Sequence, residues 1–409
     1  MLRCLVLAIL ILVAVGSGRA LAAEKLATLV VEAGKADRID TPVSVSLEGI
    51  DAAKPLRLEE VKGAERLAVP AQVEPGVPAR LWFILAGKTA AGATRTFELV
   101  SAAPPDAPKI EVRADKDGLD IVCGDLKILR YRSTMVVPPE GVDKKFTRSG
   151  YINPCWTPSG LIVTDDIPPG HLHHKGVWMP WTKTEFEGRH PDFWNLGGGT
   201  GTVRFVRMGP TTGGPVFASF QANQEQVDLS APGGGKVALK EVWNVRVYRV
   251  GGPDKGYWLW DFMNTQRCAS DSPLKLPKYL YGGMGFRGAR EWLGADKCQF
   301  LTSEGKDRKT GNESTGRWCD VSGTVGGKPA GVVIMGHPQN FRFPEPMRLH
   351  PTEPFFCFAP SQAGDWAIEP GKDYVFRYRF YVHDGPVKPE DANRMWADFG
   401  EPPVVKITR

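Results

Sequence analysis

The chain has 409 residues, 42% of them hydrophobic and 10% aromatic, with 46 glycines and 34 prolines. This composition is typical of a globular β protein with many turns. The formal charge is +5 and falls to +3 if Arg3 and Arg19 are lost with the N-terminal segment, so there is no electrostatic basis for binding nucleic acid.

Residues 1–22 have the pattern of a secretory signal peptide. Arg3 precedes an apolar run over 5–15, and Ala20-Leu21-Ala22 forms a small-x-small cleavage site. The run is too short to cross a bilayer comfortably, and no later segment approaches about eighteen uninterrupted apolar residues. The sequence therefore predicts an exported protein, periplasmic or secreted, without a membrane span.

Segments that alternate apolar and polar residues, the period expected of β-strands, recur along the chain. They cover 27–32, 43–47, 81–85, 96–100, 118–123, 203–207, 216–221, 237–250, 258–264 and 374–383. Glycine and proline between them, as at Gly209-Pro210, predict turns. A helical period is convincing only over 388–399, where Asp391 is placed to cap a short helix. The sequence predicts an all-β fold.

A proline-rich stretch divides the chain. Residues 104–108 read Pro-Pro-Asp-Ala-Pro, which forms a stiff linker. The short alternating segments before it predict a small β-sandwich domain over 23–103. Residues 109–409 contain no second linker of this kind and predict one large β-sandwich domain.

Six cysteines follow residue 22, widely spaced and without a Cys-x-x-Cys pair. An exported protein of this length can form disulfides but does not need them to build a core. One pair, for example Cys298 with Cys319, and six separate thiols are equally compatible with the sequence.

The densest chemistry lies in residues 165–195, which hold four of the seven histidines and three of the twelve tryptophans. A Pro-Pro-Gly turn at 168–170 presents His171 from the mouth of a loop. If the chain is extended beyond this turn, His171 and His173 share one face and His174 lies on the other. Each histidine could instead bond to a backbone carbonyl, but their density favours an active site, where titratable groups gather.

Two motifs outside this segment add candidates. The glycine-rich run 281–287 predicts a strand whose glycines let another backbone or a ligand come close, with Arg287 as a ligand contact. His337 ends an apolar strand, a position where ligand-binding residues often lie. His383 precedes an Asp-Gly turn and is interpreted as structural, and His350, which runs directly into Pro351, offers little.

Several motifs in a fixed order give the chain a family resemblance. They are His171-Leu172-His173-His174-Lys175-Gly176-Val177-Trp178, Glu185-Phe186, Asp192-Phe193-Trp194-Asn195, Tyr281-Gly282-Gly283-Met284-Gly285-Phe286-Arg287, Gly336-His337-Pro338 and residues 377–385. Spread over about 131–399, they resemble the PmoA-like family of exported bacterial proteins. The resemblance implies a galactose mutarotase-like β-supersandwich, a fold common among carbohydrate-active proteins. Many members have arginine where this chain has Lys175, which keeps the charge but lacks the planar fork.

The leading hypothesis is an exported carbohydrate-active enzyme that isomerises, eliminates from or hydrolyses a sugar or glycoside. Its catalytic candidates are a histidine acid or base and an orienting or opposing carboxylate, namely His171, His173, His174, Asp192 and Glu185. Its substrate-binding candidates are Lys175, Trp178, Trp194, Asn195, Arg287 and His337, with the tryptophans as stacking surfaces.

Two alternatives stay open. A sugar-binding module without catalysis would keep the aromatic residues and Arg287 and would tolerate loss of the histidines. A copper or zinc enzyme, as the methane oxygenase label of the PmoA-like family suggests, would use His171 and His173 with His337 or His383 as third ligand. The expected partner is a small-molecule or oligosaccharide substrate, and the sequence identifies no cofactor.

Overall fold

The structure, a computed structural model, describes residues 23–409, and the predicted signal peptide at 1–22 lies outside them. The fold is all-β, as the alternation predicts, and each predicted strand segment overlaps a strand of the structure. A small sandwich is followed by a large one. The described residues include two α-helices, α1 (Arg308–Gly311) and α2 (Pro389–Gly400), and four 3₁₀ turns at Lys144–Phe146, Leu196–Gly198, Arg290–Trp292 and Pro360–Ala363.

Seven strands form most of the small N-terminal sandwich. They are β1 (Lys25–Glu32), β2 (Arg38–Ser46), β3 (Leu56–Lys62), β4 (Glu65–Val69), β5 (Ala71–Glu74), β6 (Arg80–Thr89) and β7 (Thr94–Ser101). One sheet contains β1, β7, β3 and β4 in that order, and the other contains β2, β6 and β5. Inward-facing side chains such as Leu29, Phe83 and Phe97 are fully buried between the two sheets.

The large domain follows residues 103–109, which have no regular secondary structure. Its strands are β8 (Ile110–Ala114), β9 (Gly118–Cys123), β10 (Leu126–Arg132), β11 (Tyr151–Cys155), β12 (Val177–Trp178), β13 (Gly201–Thr212), β14 (Phe217–Asp228), β15 (Lys236–Gly252), β16 (Tyr257–Cys268), β17 (Leu274–Leu276), β18 (Met284–Arg287), β19 (Cys298–Thr302), β20 (Trp318–Val325), β21 (Lys328–Gly336), β22 (Met347–Leu349), β23 (Phe355–Phe358), β24 (Trp366–Ile368) and β25 (Tyr374–Asp384).

Two eight-stranded antiparallel sheets face each other in this domain. The first has the order β22-β23-β18-β12-β11-β10-β9-β8, and the second β13-β14-β15-β16-β25-β21-β20-β19. Val245 and Val247 of the second sheet share one buried core with Ile152, Phe286 and Phe356 of the first. Because side chains alternate across a strand, the residues between these lie on the outer faces. The outer face of the first sheet carries the site described below.

The end of the chain returns to the small sandwich. The last strand, β26 (Val404–Thr408), pairs antiparallel with β1, with Val405 opposite Val31. The prediction that all of 109–409 belongs to the large domain is therefore wrong at its end, because β26 is part of the small sandwich. The pairing covers one edge of β1 that would otherwise be unpaired, which is a long-range effect that no local pattern reveals.

The predicted helix is α2, with a different N-terminus from the one expected. Pro389 occupies its first turn, and Asp391 lies inside that turn rather than at the cap, which is Lys388. The Asp391 carboxylate near the N-terminus still stabilises the helix, because it interacts favourably with the positive end of the helix dipole. The apolar side of α2, including Met395 and Trp396, packs on the second sheet.

All six cysteines of the described residues are free thiols, so the alternative pairing of Cys298 with Cys319 does not occur. The two lie on neighbouring strands but out of register, because Cys298 is opposite Gly323 and Cys319 is opposite Thr302. Neither α-helix of residues 23–409 has the length and apolar character that a bilayer crossing needs.

A buried ion pair joins the two domains and gives a first prediction. Arg38 Nη1 lies 3.1 Å from Asp398 Oδ1 of α2, with 2% and 3% of the side chains exposed. Arg38→Met leaves the buried Asp398 carboxylate with Arg394, 3.4 Å away, as its remaining cationic partner, so we expect the free energy of unfolding to fall by about 3 kcal/mol in urea denaturation. The control is Arg113→Met, which removes an exposed pair with Glu111 and should cost less than about 1 kcal/mol. Similar losses in the two variants would contradict the prediction.

Candidate active site

A second, smaller hydrophobic cluster covers the outer face of the first sheet. It is called the aromatic floor here and consists of Tyr151, Trp178, Trp194, Phe355, Cys357 and Ala359. The ring centroids of Trp178 and Trp194 are 4.7 Å apart, and both side chains are completely buried. The prediction that these tryptophans stack on a sugar is therefore wrong, because neither indole face is open to a ligand.

Gly285 of β18 makes room for the aromatic floor. A Cβ atom at this position would lie 2.6 Å from Cη2 of Trp194 and 3.2 Å from Cε2 of Trp178. The second half of the glycine-rich run is thus the strand β18, and glycine permits close approach there as predicted, but the approaching groups are two indole rings and not a backbone or a ligand.

The histidine segment folds onto this floor as a turn. The backbone N–H of His174 donates to the carbonyl of His171 at 2.8 Å. His174, expected on the opposite side of an extended chain, stacks instead between His171 and Phe355, with centroid distances of 4.8 and 4.6 Å. The ring centroids of His173 and His174 are 4.7 Å apart. The prediction of an extended chain after Gly170 is wrong, because the hydrogen bond from His174 N–H to the His171 carbonyl closes the chain into a turn.

A fourth histidine, to which the sequence analysis gave no role, completes the group. The His350 ring follows β22 and lies 5.4 Å from that of His171. Its Nδ1 accepts the backbone N–H groups of Thr352 and Glu353 at 3.3 and 3.0 Å. A neutral His350 therefore carries its proton on Nε2.

These imidazoles surround a pocket of about 170 Å³, called the histidine pocket. Its lining consists of His171, His173, His174, His350, Tyr281, Arg348 and Phe355. The three predicted histidines therefore come together, and Tyr281, Arg348, His350 and Phe355 join them from positions in or next to β18, β22 and β23.

Burial lowers the pKa of all four imidazoles. The pKa of His173 and of His350 falls to about 4, and that of His174 falls well below its ordinary value. For His171 burial again lowers the pKa, while the Glu353 carboxylate opposes the shift. Desolvation disfavours the charged form of a base. At neutral pH these rings are therefore neutral and can accept a proton.

A buried ion pair lies next to the histidines. Arg287 Nη1 donates to Glu353 Oε2 at 2.6 Å and lies 3.4 Å from His174 Nδ1. Glu353 Oε1 is 3.8 Å from His171 Nδ1, too far for a hydrogen bond but close enough to act electrostatically. The Arg287 side chain is fully buried, so its predicted contact with substrate is replaced by a role in holding Glu353.

Lys175 is also structural. Its side chain is completely buried, and its Nζ lies 2.8 Å from Asp166 Oδ1 and 5.2 Å from the centre of the Tyr151 ring. The Tyr151 hydroxyl donates to the other oxygen of Asp166 at 2.5 Å. The prediction that Lys175 binds substrate is wrong, since its ammonium group is used inside the protein.

Asp192 and Asn195 support the pocket from outside it. Asp192 Oδ1 accepts the backbone N–H groups of Trp194 and Asn195, and its Oδ2 accepts the Asn195 amide at 2.8 Å and the Thr182 hydroxyl at 3.0 Å. The same amide donates to the Tyr281 hydroxyl at 3.1 Å. Asp192 was predicted as catalytic and Asn195 as substrate-binding. In the structure neither lines the histidine pocket, and the Asn195 amide, held by Asp192, contacts the Tyr281 hydroxyl.

Two predicted residues lie elsewhere. Glu185 pairs with Lys275 at 2.7 Å, and this hydrogen bond lowers the pKa of its carboxyl. His337 packs edge-to-face on Phe399 of α2 at 4.9 Å, and burial lowers its pKa to about 4. Neither lines the histidine pocket. Strand pairing therefore places both away from the group formed by His171, His173 and His174, and their predicted roles stay predictions.

No set of three or more His, Cys, Asp or Glu side chains among residues 23–409 is placed to hold a metal ion. His383, offered above as a third ligand, has Nε2 3.0 Å from Asp320 Oδ1 and Nδ1 2.8 Å from the Gly385 carbonyl. His383 is structural, as predicted, and like His337 it is not part of the group formed by His171 and His173.

Residues 118–397 match the model of the family of unknown function DUF6807. The match covers more than half of the chain, and the chain belongs to this family. No curated protein is detectably similar in sequence. Among solved structures, a mutant of the heparan sulfate lyase HepC from Pedobacter heparinus is similar over 71% of this chain, with 9% identity and a TM-score of 0.31. The chain spans 38% of the length of that lyase, and so weak a similarity bears on neither mechanism nor substrate.

The aromatic floor gives a stability prediction. Gly285→Ala places a methyl group against Trp178 and Trp194, and overpacking of this kind should lower the free energy of unfolding by about 1–3 kcal/mol. Gly198→Ala is the control, because a Cβ there meets only Thr200 Oγ1 at 3.9 Å. Urea denaturation measures both variants, and equal stability of Gly285→Ala and wild type would contradict the close approach.

The buried imidazoles give a pH prediction. Between pH 6.5 and about 4 the unfolded chain takes up protons on histidines that the folded protein keeps neutral, so stability is lost as the pH falls through this window. The slope of unfolding free energy against pH is proportional to the number of protons taken up on unfolding. In His350→Gln this number should decrease by up to about one. Urea denaturation at intervals across the window measures the difference from wild type. Identical slopes would show that His350 is not held neutral.

Proposed function

We propose that this member of the DUF6807 family is an enzyme that moves protons on a sugar substrate, with the histidine pocket as its active site. The observation that carries the proposal is the gathering of four neutral imidazoles around one pocket. Imidazole groups are the commonest acid and base catalysts in enzymes. Burying several of these polar rings together costs free energy, and such a cost is usually retained where the rings have a function.

His171 is the general base in this proposal. Its side chain is 29% exposed, so a substrate can reach it, and Glu353 lies 3.8 Å from its Nδ1. The Glu353 carboxylate opposes the effect of burial on the pKa of His171, and Asp192 does the same at His173, where burial still lowers the pKa to about 4. A base works best when its pKa lies near the working pH, which favours His171 over His173.

His350 is the complementary hydrogen-bond donor. Two backbone N–H groups occupy its Nδ1, which leaves Nε2–H to donate to a substrate oxygen. A neutral imidazole fixed in this way stabilises negative charge that develops on oxygen as a proton leaves carbon. Tyr281, positioned by Asn195, supplies a second polar group at the same pocket.

Epimerisation or elimination fits this arrangement better than hydrolysis. Hydrolysis of a glycoside by the common route uses two carboxyl groups on either side of the bond. Among the described residues, no Asp or Glu lines the histidine pocket, and Glu353 is held by Arg287. Both favoured reactions begin with removal of a proton from carbon, which neutral His171 can perform. In epimerisation a proton returns to the opposite face of that carbon; in elimination the double bond forms as the adjacent C–O bond breaks, and the leaving oxygen takes the proton held by His171.

The choice of a sugar as substrate rests on sequence. It follows from the motifs that resemble the PmoA-like family and from the sandwich fold that this resemblance implies, which is an argument by analogy. Membership of the PmoA-like family and export, which rests on residues 1–22, remain proposals in the same sense.

Deuterium exchange tests the proposal. Neutral and acidic sugars are incubated with the protein in D₂O, and loss of C–H signals and formation of new products are followed by proton NMR. We expect wild type to exchange or convert at least one sugar. His171→Gln should be slower by about 100-fold or more, the range found for loss of a general base.

His190→Gln is the matched control, since the side-chain contact of this exposed ring of the same segment is the hydrogen bond that its Nδ1 donates to the Thr184 carbonyl. Its rate should equal that of wild type. A rate for His171→Gln within about twofold of wild type would contradict the role of His171. Sugar binding by wild type without any exchange or conversion would identify a binding module instead.

A further inference from the structure

A second and larger cavity adjoins the histidine pocket. It has a volume of about 650 Å³ and lies beside α1, where its lining includes Phe300, Arg308, Lys309, Asn312 and Arg348. Typical ligand sites enclose about 300–1,000 Å³. The histidine pocket, at about 170 Å³, is smaller than this range, whereas the α1 cavity lies within it.

The segment 348–351 forms the wall between the two spaces. Leu349 and Pro351 line the α1 cavity, His350 lines the histidine pocket, and Arg348 lines both. Arg348 is therefore within reach of a ligand in either space. This shared residue is the reason to treat the two cavities as parts of one site.

The α1 cavity has an excess of positive charge. Arg308, Lys309 and Arg348 make no ion pair with any carboxylate of residues 23–409 within 4.0 Å. Asp307 is the acidic residue of the lining, and its carboxylate accepts the backbone N–H groups of Lys309 and Thr310 at 3.0 and 2.9 Å. Three cations thus face one carboxylate that is already used at the start of α1.

Two of the cations are held in place before any ligand binds. Arg348 Nη1 donates to Asn312 Oδ1 at 3.0 Å. The Arg308 guanidinium lies 4.5 Å from the centre of the Phe300 ring and donates to the carbonyl groups of His350, Glu353 and Cys298. Groups fixed in this way lose little conformational entropy on binding.

We propose that the substrate carries an oxyanion, a carboxylate or a sulfate, and extends from the histidine pocket past Arg348 into the α1 cavity. This inference rests on the proposed function and names its substrate class. Arginine binds either oxyanion with two parallel hydrogen bonds, and such charge-assisted bonds are stronger than neutral ones. In a longer chain, the anionic group of the next sugar lies at Lys309.

Isothermal titration calorimetry tests the inference with D-glucuronate, D-glucose 6-sulfate and D-glucose as probes. Wild type should bind at least one of the charged sugars about tenfold or more tighter than glucose, the equivalent of one charge-assisted hydrogen bond. The carboxylate and sulfate arms show which oxyanion is preferred. Arg348→Gln should abolish this preference. Equal affinity for all three sugars, or no binding of either charged sugar, would overturn the inference.

The extent of the site is tested with trigalacturonate. Lys309→Gln should weaken its binding by about 3–10-fold and leave glucuronate binding unchanged, in keeping with loss of one charge contact. Lys328→Gln is the control, since it removes the same charge from an exposed position at the start of β21. Equal losses in both variants would indicate a general charge effect and overturn the α1 cavity as a subsite.

One variant separates this inference from the proposed function. His171→Gln should bind the charged sugars as tightly as wild type and yet fail to exchange or convert them. Histidine-dependent turnover without preference for charged sugars would leave the proposed function standing and overturn the anionic substrate. Preference for charged sugars without turnover in wild type would overturn the enzyme and retain the binding site.

Discussion

Packing of Trp178 and Trp194 against Gly285 is the constraint on which the site depends. These side chains close the outer face of the first sheet, and the histidine turn lies directly on them. His174 stacks on Phe355 of the same layer. Close-packed interiors have few alternative arrangements, so a floor of fully buried rings fixes the turn above it. Apolar packing therefore positions the His174 ring, whereas His350 is held by the backbone N–H groups of Thr352 and Glu353.

The same burial sets the electrostatics of the pocket. Desolvation keeps the four imidazoles neutral, and the positive charge of Arg287 lowers the pKa of His171, His173 and His174 further. Glu353 has the opposite effect at His171. Positive charge at this site is consequently held by guanidinium groups, while the imidazoles stay free to accept a proton. A division of this kind allows one pocket to bind an anion and to act as a base at the same pH.

Alternation of apolar residues predicted the strands well, and β9 coincides with its predicted bounds residue for residue. Gly209-Pro210 shows where local rules fail, because it lies inside β13 and not in a turn. β13 is an edge strand, and its pairing register shifts between Met208 and Thr211. A proline without an N–H group is tolerated at such positions. The turn predicted at Gly209-Pro210 is therefore wrong, because glycine and proline also occur at an irregular edge of a sheet.

The candidate site was only partly predictable for a related reason. The density of chemistry around His171 identified the turn, but His350 and Glu353 reach it through the pairing of β22 and β23 with the first sheet. No short-range pattern encodes that pairing. Tryptophan suits a sugar platform and a core equally well, so composition alone could not assign Trp178 or Trp194. The assignment follows from the glycine opposite them, which is meaningful only once the strands are in place.

Arg308 connects the two halves of the site physically. Its guanidinium group donates to the backbone of the loop that carries His350 and Glu353, and it also lines the α1 cavity. Arg308, Lys309 and Arg348 line this cavity without an ion-pair partner among residues 23–409. Natural proteins leave clustered charges unpaired mainly where function requires it. If the proposed function holds, an anion in the α1 cavity would contact the residue that holds this loop, so ligand binding and the position of His350 would depend on one guanidinium group.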